Sequence, residues 1–179
     1  MPFMVSGSDS KTFTPAPEGT HQAVCVDVID KGWLPNPFKE GSQQHKVDLA
    51  WQIDELREDG KRFIVYKRYT ASLNEKATLR HDLESWRGRP FTATELKAFD
   101  LETIIGANCL LNVVHKAGTK DPGKTYANIA AVMPLLKGMP KMIPSDYERV
   151  KAEPTPEPEP EIETEFEPIE PLTDDQIPF

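Results

Sequence analysis

The chain contains five short apolar-rich segments with the pattern of β-strands, and these segments constrain its fold more than any other feature. Alternation of apolar and polar residues with a period of two is typical of a strand that has one face buried. Asp59-Gly60 stands between the second and third segments, as a tight turn does in a hairpin. We therefore predict five strands, over residues 22–30, 46–53, 62–69, 108–115 and 126–133.

Glycine and proline interrupt the chain after the first predicted strand. In that strand Val24, Val26 and Val28 are expected to share the buried face. The next residues, Gly32 to Gly41, contain two glycines and two prolines, so we predict a loop there. A second loop, rich in lysine, glycine and proline, is predicted between the fourth and fifth strands.

A helical segment is predicted between the third and fourth strands. Ser72 and Glu75 have the spacing of a capping box at a helix start. Leu79, Leu83 and Trp86 then follow at helical spacing, and Gly88 ends the helix.

A second capping box is predicted over Thr92–Glu95, with Phe91 and Leu96 placed to pack against each other. Asp100 to Ile105 is expected to add one more turn, which Gly106 ends. The predicted order of elements is therefore β-β-β-α-β-β.

The C-terminal residues 145–179 differ in composition from the rest of the chain. They hold 12 of the 29 acidic residues, only two of the 21 basic residues and seven of the 17 prolines. Such a segment buries too little apolar surface to offset the entropy of ordering, so we predict that it is disordered. The remainder is long enough for one domain. The predicted organisation is an N-terminal arm over 1–18, a folded domain over 19–144 and an acidic tail over 145–179.

Five strands with a helical insert between the third and fourth are the element order of the OB-fold, a small five-stranded β-barrel. In that fold strands two and three, with the loops joining strands one to two and four to five, form the binding surface. In this chain those elements carry cationic and aromatic side chains: Lys31, Trp33, Phe38 and Lys39 in the first loop, Arg62, Tyr66, Lys67, Arg68 and Tyr69 in strand three, and Lys116, Lys120 and Lys124 in the last loop. A one-residue slip in register would exchange the two faces of strand three, so the pattern does not decide which tyrosine, Tyr66 or Tyr69, faces outward.

Cationic and aromatic side chains together are typical of a surface that binds single-stranded nucleic acid. Cations neutralise the backbone phosphates, and aromatic rings stack on bases without reading their sequence. Trp33 and Phe38 lie in a proline-broken loop, where stacking on bases and burial are equally open. Trp51 and Trp86 follow the apolar patterns of a strand and a helix, and we expect both in the core.

The last six residues, Asp174-Asp175-Gln176-Ile177-Pro178-Phe179, resemble the acidic tip of bacterial and phage single-stranded DNA-binding proteins. In the body, the segments 79–80, 86–91, 108–115 and 126–129 resemble the phage-encoded branch of these proteins. Gln176 departs from the all-acidic pattern of the tip.

The resemblance implies an OB-fold protein that coats single-stranded DNA during phage DNA replication, recombination or repair. It also implies that the tip recruits replication and recombination proteins, with the terminal phenyl ring as an anchor beside its own carboxylate. The partner-binding residues implied in this way are Asp174, Asp175, Ile177, Pro178 and Phe179.

Two enzymatic interpretations fit the residues less well. Gly118–Thr125 matches the phosphate-loop pattern Gly-x-x-x-x-Gly-Lys-Ser/Thr, but that site requires a following helix, and residues 126–133 have a strand pattern. Asp121-Pro122-Gly123 is instead predicted as a turn. Acidic residues of the body are dispersed, so no nuclease metal site is indicated. We expect a protein without enzymatic activity.

Cys25 and Cys109 each lie in an apolar, strand-like segment and are predicted to be buried free thiols. The four histidines lack metal-ligand spacing, so we expect neither a metal nor a cofactor. No apolar run approaches the roughly 18 residues of a membrane span, and we expect a cytoplasmic protein, in the bacterial host if it is phage-encoded. A different class of function stays open, a protein-interaction adaptor built on an OB barrel, and so does assembly into a homo-oligomer.

Overall fold

A computed structural model describes residues 14–150 of the chain. The order of elements is β-β-β-α-β-β, as predicted, with a second short helix and a 3₁₀ turn after the first helix. The elements are β1 (Gly19–Pro35), β2 (Gln43–Leu56), β3 (Arg62–Thr70), α1 (Thr78–Arg87), α2 (Ala93–Lys97), a 3₁₀ turn (Leu101–Ile104), β4 (Asn108–Ala117) and β5 (Thr125–Pro134).

The five strands form one antiparallel, open sheet in the order β3-β2-β1-β4-β5. β1 is the central strand, and it pairs with β4 along its first residues and with β2 along most of the rest. Its pairing with β4 covers only Gly19 to Val24, whereas its pairing with β2 continues to Pro35. The edge strands β3 and β5 approach each other to within 8 Å between Cα atoms, so the sheet is strongly curled.

The main core lies between the inner face of this sheet and the helices. Trp51, Leu49 and Leu111 are almost fully buried there. The Trp86 ring of α1 packs on Trp51 at 6.0 Å between centroids, and its Nε1 donates to the carbonyl of Asn108 at 2.8 Å. The expectation that Trp51 and Trp86 are core residues is confirmed. Burial of apolar area on this face is the main stabilising contribution to the fold.

Two bulges in β1 change which of its side chains face the core. The register against β2 shifts between Cys25 and Asp27 and again between Asp30 and Gly32. An extra residue in one strand reverses the alternation that follows it. Val24 and Val26 therefore pack in a small cluster on the outer side, whereas Val28 packs against the main core. The prediction that three alternate valines share one face was wrong for this reason.

The first hairpin is longer than its glycine and proline content predicted. Gly32 to Pro35 continue β1 and pair with residues 43–46 of β2, so the predicted loop from Gly32 was wrong over its first four residues. The turn itself is short and is closed by a hydrogen bond from the Asn36 amide to the Ser42 carbonyl, at 2.9 Å. Pairing with β2 outweighs the local preference of this segment for a loop.

The two capping boxes have different outcomes. Ser72 forms only a local turn, in which its hydroxyl accepts from the Asn74 amide at 3.2 Å, and α1 begins later without a side-chain cap. The first box was therefore a wrong prediction, although Gly88 ends α1 in the left-handed conformation as expected. At α2 both reciprocal bonds between Thr92 and Glu95 are present, so the second box is confirmed.

Residues 14–18 and 140–150 pack on the sheet, although the composition assigned residues 14–18 to an arm and 145–150 to a tail. Ala16 is buried, and its carbonyl oxygen lies 2.6 Å from Nε2 of His115. We call residues 140–150 the C-terminal strap. They lie on the sheet but form no helix or strand. Disorder was predicted for residues 145–179; residues 145–150 lie on the sheet instead, and residues 151–179 lie outside the described residues.

Both cysteines are buried and free, as predicted. Burial raises the pKa of the Cys25 thiol to about 12, and it raises the pKa of Cys109 as well. No helix in residues 14–150 is long and apolar enough to cross a membrane.

Candidate nucleic-acid interface

The sheet has an outer face, opposite the main core, on which the even-numbered residues of β2 and β3 lie. Along β2 the alternation is unbroken from Asp48 to Gln52, with Ala50 between them on the same side. The paired strand β3 presents Tyr66 and Arg68 on that side. This face is the part of the candidate interface contributed by strands two and three.

Strand β3 divides its five predicted binding residues between the two faces. Arg62, Tyr66 and Arg68 lie on the outer face, and Tyr66 is 48% exposed. Lys67 and Tyr69 lie on the core side. The alternation therefore assigns Tyr66, and not Tyr69, to the surface.

Lys67 and Tyr69 are held by one carboxylate of α1. The Lys67 Nζ and the Tyr69 hydroxyl both donate to Oδ2 of Asp82, at 2.6 and 2.7 Å. Tyr69 is almost fully buried, and burial with the nearby Asp82 charge raises its pKa well above the ordinary value. The prediction that these two residues contact nucleic acid is corrected: their polar groups join β3 to α1.

Arg68 is paired on the outer face. Its Nε and Nη2 donate to the two carboxylate oxygens of Asp48 at 2.7 and 3.0 Å, a bidentate pair that raises the pKa of Arg68. The guanidinium is half exposed, but Asp48 balances its charge. Arg68 therefore contributes less net positive potential to this face than the sequence suggests.

The β1–β2 hairpin ends in an exposed aromatic ring. Phe38, at the turn, is 92% exposed, and its neighbour Lys39 is exposed as well. Lys31 is exposed further back, within β1. Loop residues in a rigid hairpin are typical carriers of binding function. The structure thus leaves the Phe38 ring open to solvent at the point where the sequence predicted stacking.

Trp33 has a different environment. It lies in β1 opposite His45, and the two rings stack with 5.3 Å between centroids and 18° between planes. Nε2 of His45 lies 2.7 Å from Oδ1 of Asp30. Burial would raise the pKa of Asp30, but hydrogen bonds from the Gly32 amide and from His45 outweigh it and lower that pKa. Because His45 shares the side of β2 that faces the core, Trp33 does not lie on the outer face with Tyr66.

Three predicted lysines lie at the β4–β5 turn: Lys116 is in the last part of β4 and not in the loop, whereas Lys120 and Lys124 lie in the loop. Lys116 and Lys120 are exposed, and Lys124 lies 3.6 Å from the Asp121 carboxylate. The Lys124 amide donates to the Asp121 carbonyl at 3.0 Å, which confirms the predicted turn. The strand β5 follows directly, so the helix that a phosphate loop requires does not follow Gly118–Thr125.

The register places the basic loops at opposite ends of the outer face. Val113 of β4 pairs with Gly19, the first residue of β1, so the β4–β5 loop lies beyond the start of β1. The β1–β2 turn lies beyond the other end of β1. Tyr66 and Arg68 lie between these ends. The predicted binding residues that remain exposed therefore form a line across the outer face, with lysines at both ends and Tyr66 in the middle. We call this line the track.

Part of the outer face is covered by the C-terminal strap, which the sequence analysis did not include. Asp27, fully buried, accepts from the Tyr147 hydroxyl at 2.9 Å, from Nε of Arg149 at 3.0 Å and from the Val150 amide at 2.8 Å. A carboxylate inside the apolar run of β1 was the sequence signal for such a contact, since a buried charge needs partners. Burial and Asp27 raise the pKa of Tyr147.

A cavity of about 460 Å³ opens where the strap meets the first hairpin and the 3₁₀ turn. Its charged lining combines Asp30, His45, Glu102 and Arg149. The last two are paired at 2.7 Å, which leaves the Asp30 carboxylate beside His45, so the lining has no excess positive charge to hold a phosphate. Within residues 14–150 no group of three or more His, Cys, Asp or Glu side chains is placed to hold a metal ion.

The predicted partner-binding residues Asp174, Asp175, Ile177, Pro178 and Phe179 lie outside the described residues. Comparisons with protein-family models and with curated proteins find no match for this chain.

Proposed function

We propose that this protein binds single-stranded DNA without sequence preference and coats it during phage DNA replication or recombination. The observation that carries the proposal is the exposed Phe38 ring, next to the exposed Lys39, at the tip of the β1–β2 hairpin of a five-stranded sheet. An exposed aromatic ring can stack on a base, and every base has a flat face that fits such a ring.

The sheet supports an OB barrel as the fold behind this function. The strand order β3-β2-β1-β4-β5, with β3 and β5 curling toward each other, is the order that an OB barrel has before its edges join. The helical insert between β3 and β4 has the OB position as well. On this proposal the DNA strand follows the track from the β4–β5 loop, past Tyr66, to the first hairpin.

The acidic tip completes the proposal. The resemblance of Asp174–Phe179 to the tips of single-stranded DNA-binding proteins supports recruitment of replication and recombination proteins by that segment. A terminal aromatic ring beside a carboxylate suits a pocket with an apolar floor and a basic rim.

The decisive experiment is a titration of the full-length protein with labelled oligo(dT) at several salt concentrations. We expect binding whose log K falls with log salt by about 0.7 for each phosphate that the protein neutralises. Replacing Lys116 and Lys120 with Gln should reduce that slope by about 1.4. The matched control replaces Lys76 and Lys97, two exposed lysines of the helical insert, and should leave the slope unchanged.

The same titration separates the proposal from an adaptor that binds only protein. If the full-length protein does not bind oligo(dT) even at low salt, the DNA-binding proposal is wrong. If the protein binds but both lysine pairs change the slope equally, the track described above is wrong and another surface holds the strand.

A further inference from the structure

Strands β1–β3 carry an apolar patch on the outer face that the C-terminal strap covers. Val24, Val26 and Ala50 are fully or almost fully buried there, although they lie on the side away from the main core. Met142 and Tyr147 of the strap pack over them. The patch is therefore buried by an irregular segment and not by a further layer of the fold.

The strap also engages two residues of the candidate interface. Nη1 of Arg62 donates to the Ile143 carbonyl at 2.7 Å, and the side chains of Tyr66 and Tyr147 interact. Both β3 residues were selected as DNA-binding residues from the sequence alone. A DNA strand that used them on this face would meet the strap first.

The strap is attached to the sheet by side chains and not by a strand ladder. The Met142 and Ser145 amides donate to the side-chain oxygens of Asn108 and Gln52, and the Val150 amide donates to Asp27. Such bonds can be exchanged for bonds to water without breaking the sheet. Ile143 and Val150 of the strap are more than half exposed, so the apolar area that opposes its release is that of Met142, Tyr147 and the patch beneath them.

We propose that the outer face of β1–β3 is a covered part of the single-strand surface, and that single-stranded DNA displaces the strap to reach it. This inference rests on the proposed function. Release of the strap frees the Arg62 guanidinium for phosphate and opens an apolar patch beside Tyr66 on which bases can pack. The competition depends on part-buried hydrogen bonds, several of them to the fully buried Asp27, so it persists at salt concentrations that screen attraction between the acidic tail and the body.

Hydrogen exchange of the full-length protein, with and without saturating oligo(dT), tests the proposal directly. We expect the peptides that cover residues 140–150 to lose protection when DNA binds, because the Met142, Ser145 and Val150 amides lose their acceptors. Peptides from β4 should keep theirs. If the strap peptides keep or gain protection in the DNA complex, the strap stays in place and the inference is overturned, while DNA binding itself is upheld.

Variants of the strap provide a second test. Release of the strap should tighten DNA binding, whereas loss of positive charge alone should weaken it. Tyr147→Phe with Arg149→Gln removes two of the three strap bonds to Asp27 and should raise the open fraction. Apparent affinity is proportional to that fraction, so oligo(dT) should bind about five- to tenfold more tightly. Loss of a positive charge alone would weaken binding.

Lys141→Gln is the matched control, because it removes one positive charge from the strap at an exposed side chain. It should bind oligo(dT) equally well or slightly more weakly. If the double variant also binds equally or more weakly, the strap does not compete with DNA. If the unaltered protein fails to bind oligo(dT) at all, the proposed function and this inference fall together.

Discussion

Replacing Phe38 with alanine isolates the contribution of one aromatic ring to DNA binding. The side chain is 92% exposed, so truncation removes almost no buried area from the folded protein. Substitutions at such positions change the free energy of unfolding by about 0.5 kcal/mol or less. Any larger effect on DNA affinity therefore comes from the bound state.

The size of the expected effect follows from base stacking. Removal of a ring that stacks on one base costs about 1–3 kcal/mol. At about 1.4 kcal/mol for each tenfold change, the dissociation constant should rise by about five- to 150-fold. Because the substitution changes no charge, the slope of log K against log salt should stay the same.

The assay is fluorescence anisotropy of labelled oligo(dT), measured for each protein over the same salt series. Leu136→Ala is the matched control: it truncates another large exposed side chain, 63% exposed, outside the candidate interface. The control should bind as the unaltered protein does. Urea titration of all three proteins confirms that stability is unchanged.

Two results would refute the reasoning. If Phe38→Ala binds oligo(dT) as well as the unaltered protein, the ring does not stack and the exposed hairpin tip has another role. If Phe38→Ala and Leu136→Ala weaken binding equally, the loss reflects general apolar area and not a base-stacking position.

Four further predictions concern the fold and the tip. Tyr69→Phe removes a hydrogen bond to a carboxylate and should lower the free energy of unfolding by about 1.5 kcal/mol in urea titrations, with DNA affinity unchanged. Thr92→Ala breaks the capping box and should lower it by about 1 kcal/mol. Hydrogen bonds from a neighbouring arginine and from the Thr92 amide lower the pKa of Glu95 to about 2. The stabilisation from Glu95 should therefore be complete above its unfolded pKa near 4.5 and should disappear as pH falls toward 2. Urea titrations across that pH range measure this loss. Deletion of Phe179 should abolish capture of replication proteins from host lysate and leave oligo(dT) affinity unchanged. If both forms capture the same proteins, Phe179 does not bind partners.

The sequence predicts the site residues whose exposure depends only on their near neighbours in the chain. Lys39 and Phe38 were selected because two prolines and a polar composition keep a loop at the surface, and both are exposed. Lys116 and Lys120 were selected for the same reason. The division of β3 was not predictable, because a period-two pattern identifies two faces without saying which one meets the core.

The strap was beyond the reach of the sequence analysis for a different reason. Composition assigns residues 145–150 to the acidic tail, since Asp146 and Glu148 lie among them. Their position on the sheet depends on Asp27, which lies 120 residues before Tyr147. Only the folded sheet brings such distant groups together, and a buried carboxylate then determines where the last residues of the body bind.

Taken by itself, the sequence determined the order of strands and helices, the Thr92 capping box and the turn at Asp121, because each depends on residues within a few positions of one another. The tertiary structure alone decided the bulges of β1, the extension of that strand beyond Gly32 and the burial of Tyr69. Each of these is a contact between segments far apart in the chain, in which cross-strand pairing and burial outweigh local preference.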